Sequence, residues 1–190
     1  MEREHTLRWL DRESDDRTGQ ALSQIQEEWD AHNYPRALRV CEQLIARAED
    51  LEQHDNLGLA YCYLGETYRL MGIHHYQDAV EAFGKARGHF SLDGTSASNR
   101  NRGIAYWSLA MVLEALPGHW NNALRFYQSG LDIIERELKD VRSQSASPRA
   151  DRSRLVQELT DIRQLIAEDQ ENLLRQQTMG DPKIIGLMRQ

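Results

Sequence analysis

Residues 61–86 of the chain, YCYLGETYRLMGIHHYQDAVEAFGKA, decide how it folds. Apolar and small residues recur there at spacings of three and four on both sides of Gly72, and such spacings place side chains on one face of a helix. The stretch therefore predicts two helices joined by a short turn at Gly72. The first helix carries Tyr61-x-x-Leu64-Gly65-x-x-Tyr68, and the second carries Tyr76-x-x-Ala79-Val80-x-x-Phe83-x-x-Ala86.

The pattern of the second helix occurs three times along the chain, at residues 34–44, 76–86 and 120–130. Ala37, Ala79 and Ala123 stand at the same place in the three copies, separated by steps of 42 and 44 residues. A first-helix pattern also precedes the third copy, and a turn at Pro117-Gly118 closes it. A supersecondary unit that recurs at a fixed period predicts stacked helix pairs.

These residues resemble the tetratricopeptide-repeat (TPR) family, whose first helix carries Leu-Gly and then Tyr, and whose second carries Ala, an aromatic residue and Ala. The resemblance implies an all-α fold, a right-handed solenoid of about three TPR-like helical hairpins over residues 18–142. The repeat and its turns are longer than usual in the family, as in its long-repeat variants, and the first repeat lacks Leu-Gly. The residues that match best are Leu64, Gly65, Tyr68, Gly72, Ala79, Phe83 and Ala86.

The small residues of the pattern have a physical role. Gly65, Ala79 and Ala86 are expected to let two helix backbones approach closely, with aromatic side chains filling the space between neighbouring helix pairs. A long charged side chain at such a position has no room.

The rest of the chain divides around these repeats. Polar loops without a helical pattern are expected at residues 91–99 and 143–148. In the charged N-terminal segment, Leu7, Trp9 and Leu10 are candidates to dock onto the first helix pair, and Thr18 is the expected N-cap of the first helix. The expected parts are a charged segment at 1–17, three TPR-like hairpins at 18–142, a capping helix at 149–177 and a tail at 178–190.

The long C-terminal helix carries an apolar seam that allows two interpretations. Its apolar residues follow heptad-like steps with a polar gap at Asp169. The first interpretation is a helix that caps the open end of the stack, which solenoids require. The second is a coiled coil that joins two copies into a homodimer through residues 149–177, so a monomer and a homodimer both remain open. The seam consists of Leu155, Leu159, Ile162, Ile166 and Leu173.

Charge and composition argue against several classes of protein. The formal net charge of −7 argues against nucleic-acid binding, which normally requires a basic surface. No apolar run is long enough to span a bilayer, and the charged N-terminus does not resemble a secretion signal, so no membrane association and a cytoplasmic location are expected. Cys41 and Cys62 lie in helical apolar patterns and are interpreted as reduced core thiols, although sequence alone leaves a disulfide between them possible.

Catalytic chemistry finds no support in the residue pattern. His32, His74 and His119 each precede the second helix of a pair, so their recurrence follows the turns and not a ligand cluster. The sequence contains no nucleophile elbow and no phosphate-binding glycine loop. We therefore expect a protein that is not an enzyme and that has no cofactor and no metal.

The TPR resemblance implies a concave groove lined by the first helices of the second and third repeats. The expected function is a protein–protein interaction scaffold or adaptor that binds a peptide or helix of another protein in this groove. The alternatives are that the chain's own long helix or the apolar cluster at 184–188 fills the groove, and that the chain is a sensory or regulatory module of a larger signalling or transcription-regulatory system. The expected groove residues are Cys62, Glu66, Arg69, Trp107, Met111 and Glu114.

Overall fold

The computed structural model describes residues 6–10, 16–90, 95–143 and 149–180, and in these ranges the regular elements are helices throughout. Two short 3-10 turns, Thr6–Trp9 and Ile73–His75, accompany the α-helices. The all-α prediction is therefore confirmed. The α-helices are α1 Asp16–Asp30, α2 Tyr34–Asp50, α3 His54–Met71, α4 Tyr76–His89, α5 Ser96–Glu114, α6 Trp120–Ser143 and α7 Arg149–Gly180.

Each helix packs mainly against its two neighbours in the chain. The order of contacts gives their directions. Between α3 and α4, the ring of Tyr61 stacks on His89 near the end of α4, whereas Tyr68 stacks on His75 at its start. Because contacts that advance along α3 move back along α4, the two helices run antiparallel.

The same reasoning applies to the last two helices. Arg163 of α7 pairs with Glu135 of α6 at 2.7 Å, and Gln170 further along α7 reaches back to Gln128 at 3.2 Å. α6 and α7 are therefore antiparallel as well. The structure is a repeat-like succession of helices, in which α3 and α4, and likewise α6 and α7, run in opposite directions.

Close helix contacts occur where small residues were expected. Ala79 and Ala86 are fully buried, and a Cβ added to Gly65 would stand 3.0 Å from the ring of Phe83. A Cβ on Gly130 would lie 3.1 Å from the backbone oxygen of Gly103, so α5 and α6 approach each other backbone to backbone. A side chain at this position would require the backbone of α5 to move by a few tenths of an ångström, so glycine favours the close contact.

Two helix starts differ from the sequence prediction. α1 begins at Asp16, so Thr18 lies inside its first turn and is buried instead of acting as N-cap. α5 begins at Ser96, within the stretch 91–99 that was predicted to be a loop. Thr95 explains this start, because its hydroxyl accepts a hydrogen bond from the backbone N–H of Ser98 at 3.2 Å. Residues 91–94 lie outside the described residues.

The apolar seam of α7 is buried within the same chain. Leu159, Ile162, Ile166 and Leu173 are fully buried, and Leu155 packs against the core. α7 packs mainly along α6, with a smaller contact to α5. These side chains are therefore already covered, as the capping interpretation expects. The apolar cluster predicted at 184–188 lies outside the described residues.

No helix within the described ranges is both long and apolar enough to cross a membrane.

Candidate functional site

The predicted groove residues of α3 are mostly covered. Cys62 and Glu66 are buried, and Arg69 keeps a minor part of its side chain in solvent. The guanidinium of Arg69 binds both carboxylate oxygens of Glu66, with its Nε 2.8 Å from Oε2 and its Nη2 2.7 Å from Oε1. A bidentate pair of this kind holds both side chains in a defined orientation.

The predicted groove residues of α5 are covered to a similar extent. Trp107 is 5% exposed and Met111 is 8% exposed. The indole Nε1 of Trp107 donates a hydrogen bond to Oδ2 of Asp169 in α7 at 2.8 Å. Glu114 is half-buried and accepts a hydrogen bond from the hydroxyl of Tyr127 at 2.8 Å.

The six predicted residues therefore do not form an open apolar groove. Four of them are buried, and Trp107 is bound to the chain's own C-terminal helix, which is the alternative that the sequence left open for this position. Trp107 and Met111 are core residues in this structure. Their burial agrees with the sequence of α5 from 104 to 113, which is apolar except for Ser108.

A second segment of the chain covers the face shared by α3 and α5. Residues 6–10 contact these two helices, with Leu7 1% exposed and Leu10 5% exposed. Leu7, Trp9 and Leu10 were candidates to dock onto the first helix pair, but the helices that the segment contacts are α3 and α5. Burial of two leucine side chains contributes on the order of 3–6 kcal/mol, at about 1.5–3 kcal/mol each.

Arg100 at the start of α5 holds this segment in place. Its Nε donates a hydrogen bond to the backbone oxygen of Trp9 at 2.8 Å, and its Nη1 pairs with Oε2 of Glu158 in α7 at 2.8 Å. Burial would raise the pKa of Glu158, but hydrogen bonds and charge from Arg154 and Arg100 outweigh it and lower the pKa. One buried guanidinium thus links the N-terminal segment, α5 and α7.

Arg100 was not singled out in the sequence, although a signal for it exists. Arg100 precedes Trp107 by seven residues, or nearly two helical turns, so both lie on the same stripe of α5. Their contacts follow the same order along α7, since Arg100 meets Glu158 and Trp107 meets Asp169. α5 and α7 therefore run parallel, with one face of α5 turned towards α7.

Within the described ranges, no three His, Cys, Asp or Glu side chains form a group able to hold a metal ion. Cys41 and Cys62 are both free and buried, which confirms their interpretation as reduced core thiols. Burial raises the pKa of Cys41 to about 12, even though a hydrogen bond with Thr67 acts in the opposite direction. A thiol of this kind is a poor nucleophile.

Comparison of the chain with family models, with curated proteins and with solved structures gives no match in any of the three. The resemblance to the TPR family thus depends on the residues quoted from the sequence.

Proposed function

We propose that this chain is a non-enzymatic interaction scaffold, built as a right-handed TPR-like solenoid with α7 as its cap, that binds a segment of another protein. The helices α3 and α5 form the binding face, and the protein works in the cytoplasm without a cofactor. The alternating directions of neighbouring helices and the parallel course of α5 and α7 support the solenoid.

One observation supports the location of the binding face. Residues 6–10 pack across α3 and α5 and bury Leu7 and Leu10 there. A face that accommodates a short apolar segment of its own chain has the shape and polarity that a partner segment requires. The proposal therefore moves the binding site from the buried Trp107 and Met111 to the face beneath residues 6–10.

Site-specific photo-crosslinking in the native host tests this function. A photoreactive amino acid is placed at Asn56 in α3 or at Ala97 in α5, both of which reach solvent in part. These positions adjoin Asp55 and Ser98, whose side chains are hydrogen-bonded to each other at the ends of α3 and α5 that lie near Arg100. The matched control is the exposed Glu81 in α4. We expect a defined protein that is crosslinked from the first two positions and not from the third, and that also binds the purified chain directly.

Two results would count against the scaffold. The first is the absence of any crosslinked protein at Asn56 and Ala97, and the second is the same set of proteins at all three positions. Dimerisation through α7 is the weaker candidate, because its seam is already buried inside one chain.

A further inference from the structure

The N-terminal segment at residues 6–10 has the properties of a bound peptide. It forms a single 3-10 turn, closed by a hydrogen bond of 3.2 Å from the backbone N–H of Leu10 to the backbone oxygen of Leu7. The two leucines are three positions apart, so this turn places both side chains on the same side of the segment. The side chain of Arg8 between them is exposed and lies over the ring of Trp9, 5.0 Å from its centroid.

The protein recognises this segment in two ways. Two apolar side chains enter the core, where Leu7 is among the largest fully buried side chains. The main chain of the segment is bound separately, through the 2.8 Å hydrogen bond from Arg100 to the backbone oxygen of Trp9. A backbone contact does not depend on the side chain at that position, so a different segment with the same two apolar anchors can make it.

We propose that residues 6–10 are the resident occupant of a peptide-docking site on α3 and α5, and that its external ligand is a short partner segment with two leucine-type side chains three residues apart. The ligand binds by displacing the resident segment. This inference rests on the proposed scaffold function and adds to it the partner's chemistry and a means of regulation.

The tether sets the strength of the competition. A segment joined to its site by a short linker competes at an effective concentration on the order of millimolar. With an intrinsic dissociation constant of about 100 μM for the resident segment, an external segment would therefore bind the intact chain about tenfold more weakly than a chain whose resident segment is disabled. The site is closed at rest, and a strong or locally concentrated ligand opens it.

The test compares peptide binding to the full chain and to a variant with a disabled segment. Leu7→Asp/Leu10→Asp removes both anchors, because a carboxylate cannot enter an apolar site unpaired. The matched control is Leu51→Asp/Ile73→Asp, which makes similar changes at side chains that are 53% and 57% exposed. The probe is a fluorescein-labelled peptide that copies residues 4–12, EHTLRWLDR, and binding is measured by fluorescence anisotropy.

We expect saturable binding to Leu7→Asp/Leu10→Asp, and binding at least tenfold weaker to the wild type and to the control variant. A peptide with both leucines replaced by aspartate should not bind. Adding Arg100→Gln to the disabled variant should weaken binding of the peptide. Glu158→Gln in the same background should weaken it less, because it leaves the guanidinium free to reach the peptide backbone.

The proposal is overturned if the disabled variant keeps wild-type helicity by circular dichroism but does not bind the peptide. Equal binding to the wild type would also overturn it, because the peptide would then occupy another surface. Concentration-dependent dimers of the wild type that vanish in Leu7→Asp/Leu10→Asp would instead show exchange of the segment between two copies, which also excludes an external ligand.

A second variant keeps the test decisive if the aspartate variant fails to fold. A protease site replaces residues 11–15, and the chain is cut after it has folded. Excess labelled peptide should then displace the cleaved N-terminal piece, so that the labelled peptide elutes with the protein in gel filtration. If the cleaved piece stays bound instead, the proposal is overturned. Peptide binding without any crosslinked host protein would support the docking site and refute the scaffold function. A crosslinked host protein without peptide binding would support the scaffold function and refute the docking site.

Discussion

Trp107 in α5 donates a hydrogen bond of 2.8 Å from its indole Nε1 to the carboxylate of Asp169 in α7. A similar relationship exists at the other end of the molecule, where Trp29 in α1 donates to the hydroxyl of Thr67 in α3 at 2.9 Å. In both pairs a buried tryptophan connects a helix with the second helix that follows it in the chain, α1 with α3 and α5 with α7. Such contacts fix how successive helix pairs stack, because an indole N–H in the core requires an acceptor in a defined place.

The Trp107–Asp169 bond should contribute measurably to stability. Trp107→Phe keeps most of the apolar volume and removes the donor to a charged acceptor, so we expect the free energy of unfolding to fall by about 1–3 kcal/mol. Urea denaturation followed by circular dichroism measures this loss. Trp120→Phe is the control, since Trp120 is exposed on α6 and its replacement should change stability by less than about 0.5 kcal/mol.

Glycine substitutions should separate close helix contacts from open helix surface. Gly130→Ala places a Cβ 3.1 Å from the backbone oxygen of Gly103, and a main-chain atom cannot move aside cheaply, so thermal unfolding should occur at a lower temperature. Gly84→Ala meets nothing within 4 Å in the middle of α4 and should stabilise the protein by about 0.5–1 kcal/mol. Equal effects of the two changes would contradict the close approach of α5 and α6.

The two cysteines should be unreactive in the folded protein. Burial raises the pKa of both thiols, to about 12 for Cys41, and the charge of Glu66 adds to the increase at Cys62. A disulfide-type thiol reagent at pH 8 should therefore modify neither in native buffer and should titrate two thiols after denaturation in guanidinium. Rapid reaction of one thiol in the folded chain would show that α3 opens locally.

His89 should make stability depend on pH below neutrality. Its ring stacks on Tyr61, and burial together with the positive charges of His54 and Lys85 lowers its pKa from 6.5, against the opposing charge of Glu49. The unfolded chain then binds a proton more readily, so stability is lost as the pH falls below about 6.5 towards the lower folded value. His89→Gln should flatten this part of a melting-temperature profile, whereas His74→Gln at an exposed turn should leave it unchanged.

The protein should be a monomer whose C-terminal seam belongs to its own core. Ile162 is fully buried between α7 and the rest of the chain, so Ile162→Asp should unfold α7 or the whole protein. Leu174→Asp changes a side chain on the same helix that is largely exposed and should leave the fold intact. Light scattering should give the monomer mass for the wild type and for Leu174→Asp, and a wild-type dimer would revive the coiled-coil interpretation.

Several features of this protein were determined by its sequence alone. Helix positions follow from the three- and four-residue spacing of apolar and small side chains, and the C-terminal helix predicted at 149–177 is observed as Arg149–Gly180. The need for glycine and alanine at Gly65, Ala79 and Ala86 was also predictable, because the size of a side chain limits how closely two helices pack. Helix positions depend on neighbours only a few residues away, and the small residues belong to a repeated pattern that can be read from the sequence.

Only the tertiary structure decided which faces remain available. The sequence placed Trp107 and Met111 at a groove and left open whether the chain's own long helix fills it, and Asp169 of that helix covers Trp107. Arg100 acquired its role only when folding brought Trp9 and Glu158 within reach of one guanidinium. Helix periodicity says which side chains share a face, whereas burial depends on what else in the chain packs against that face, and no local pattern contains that information.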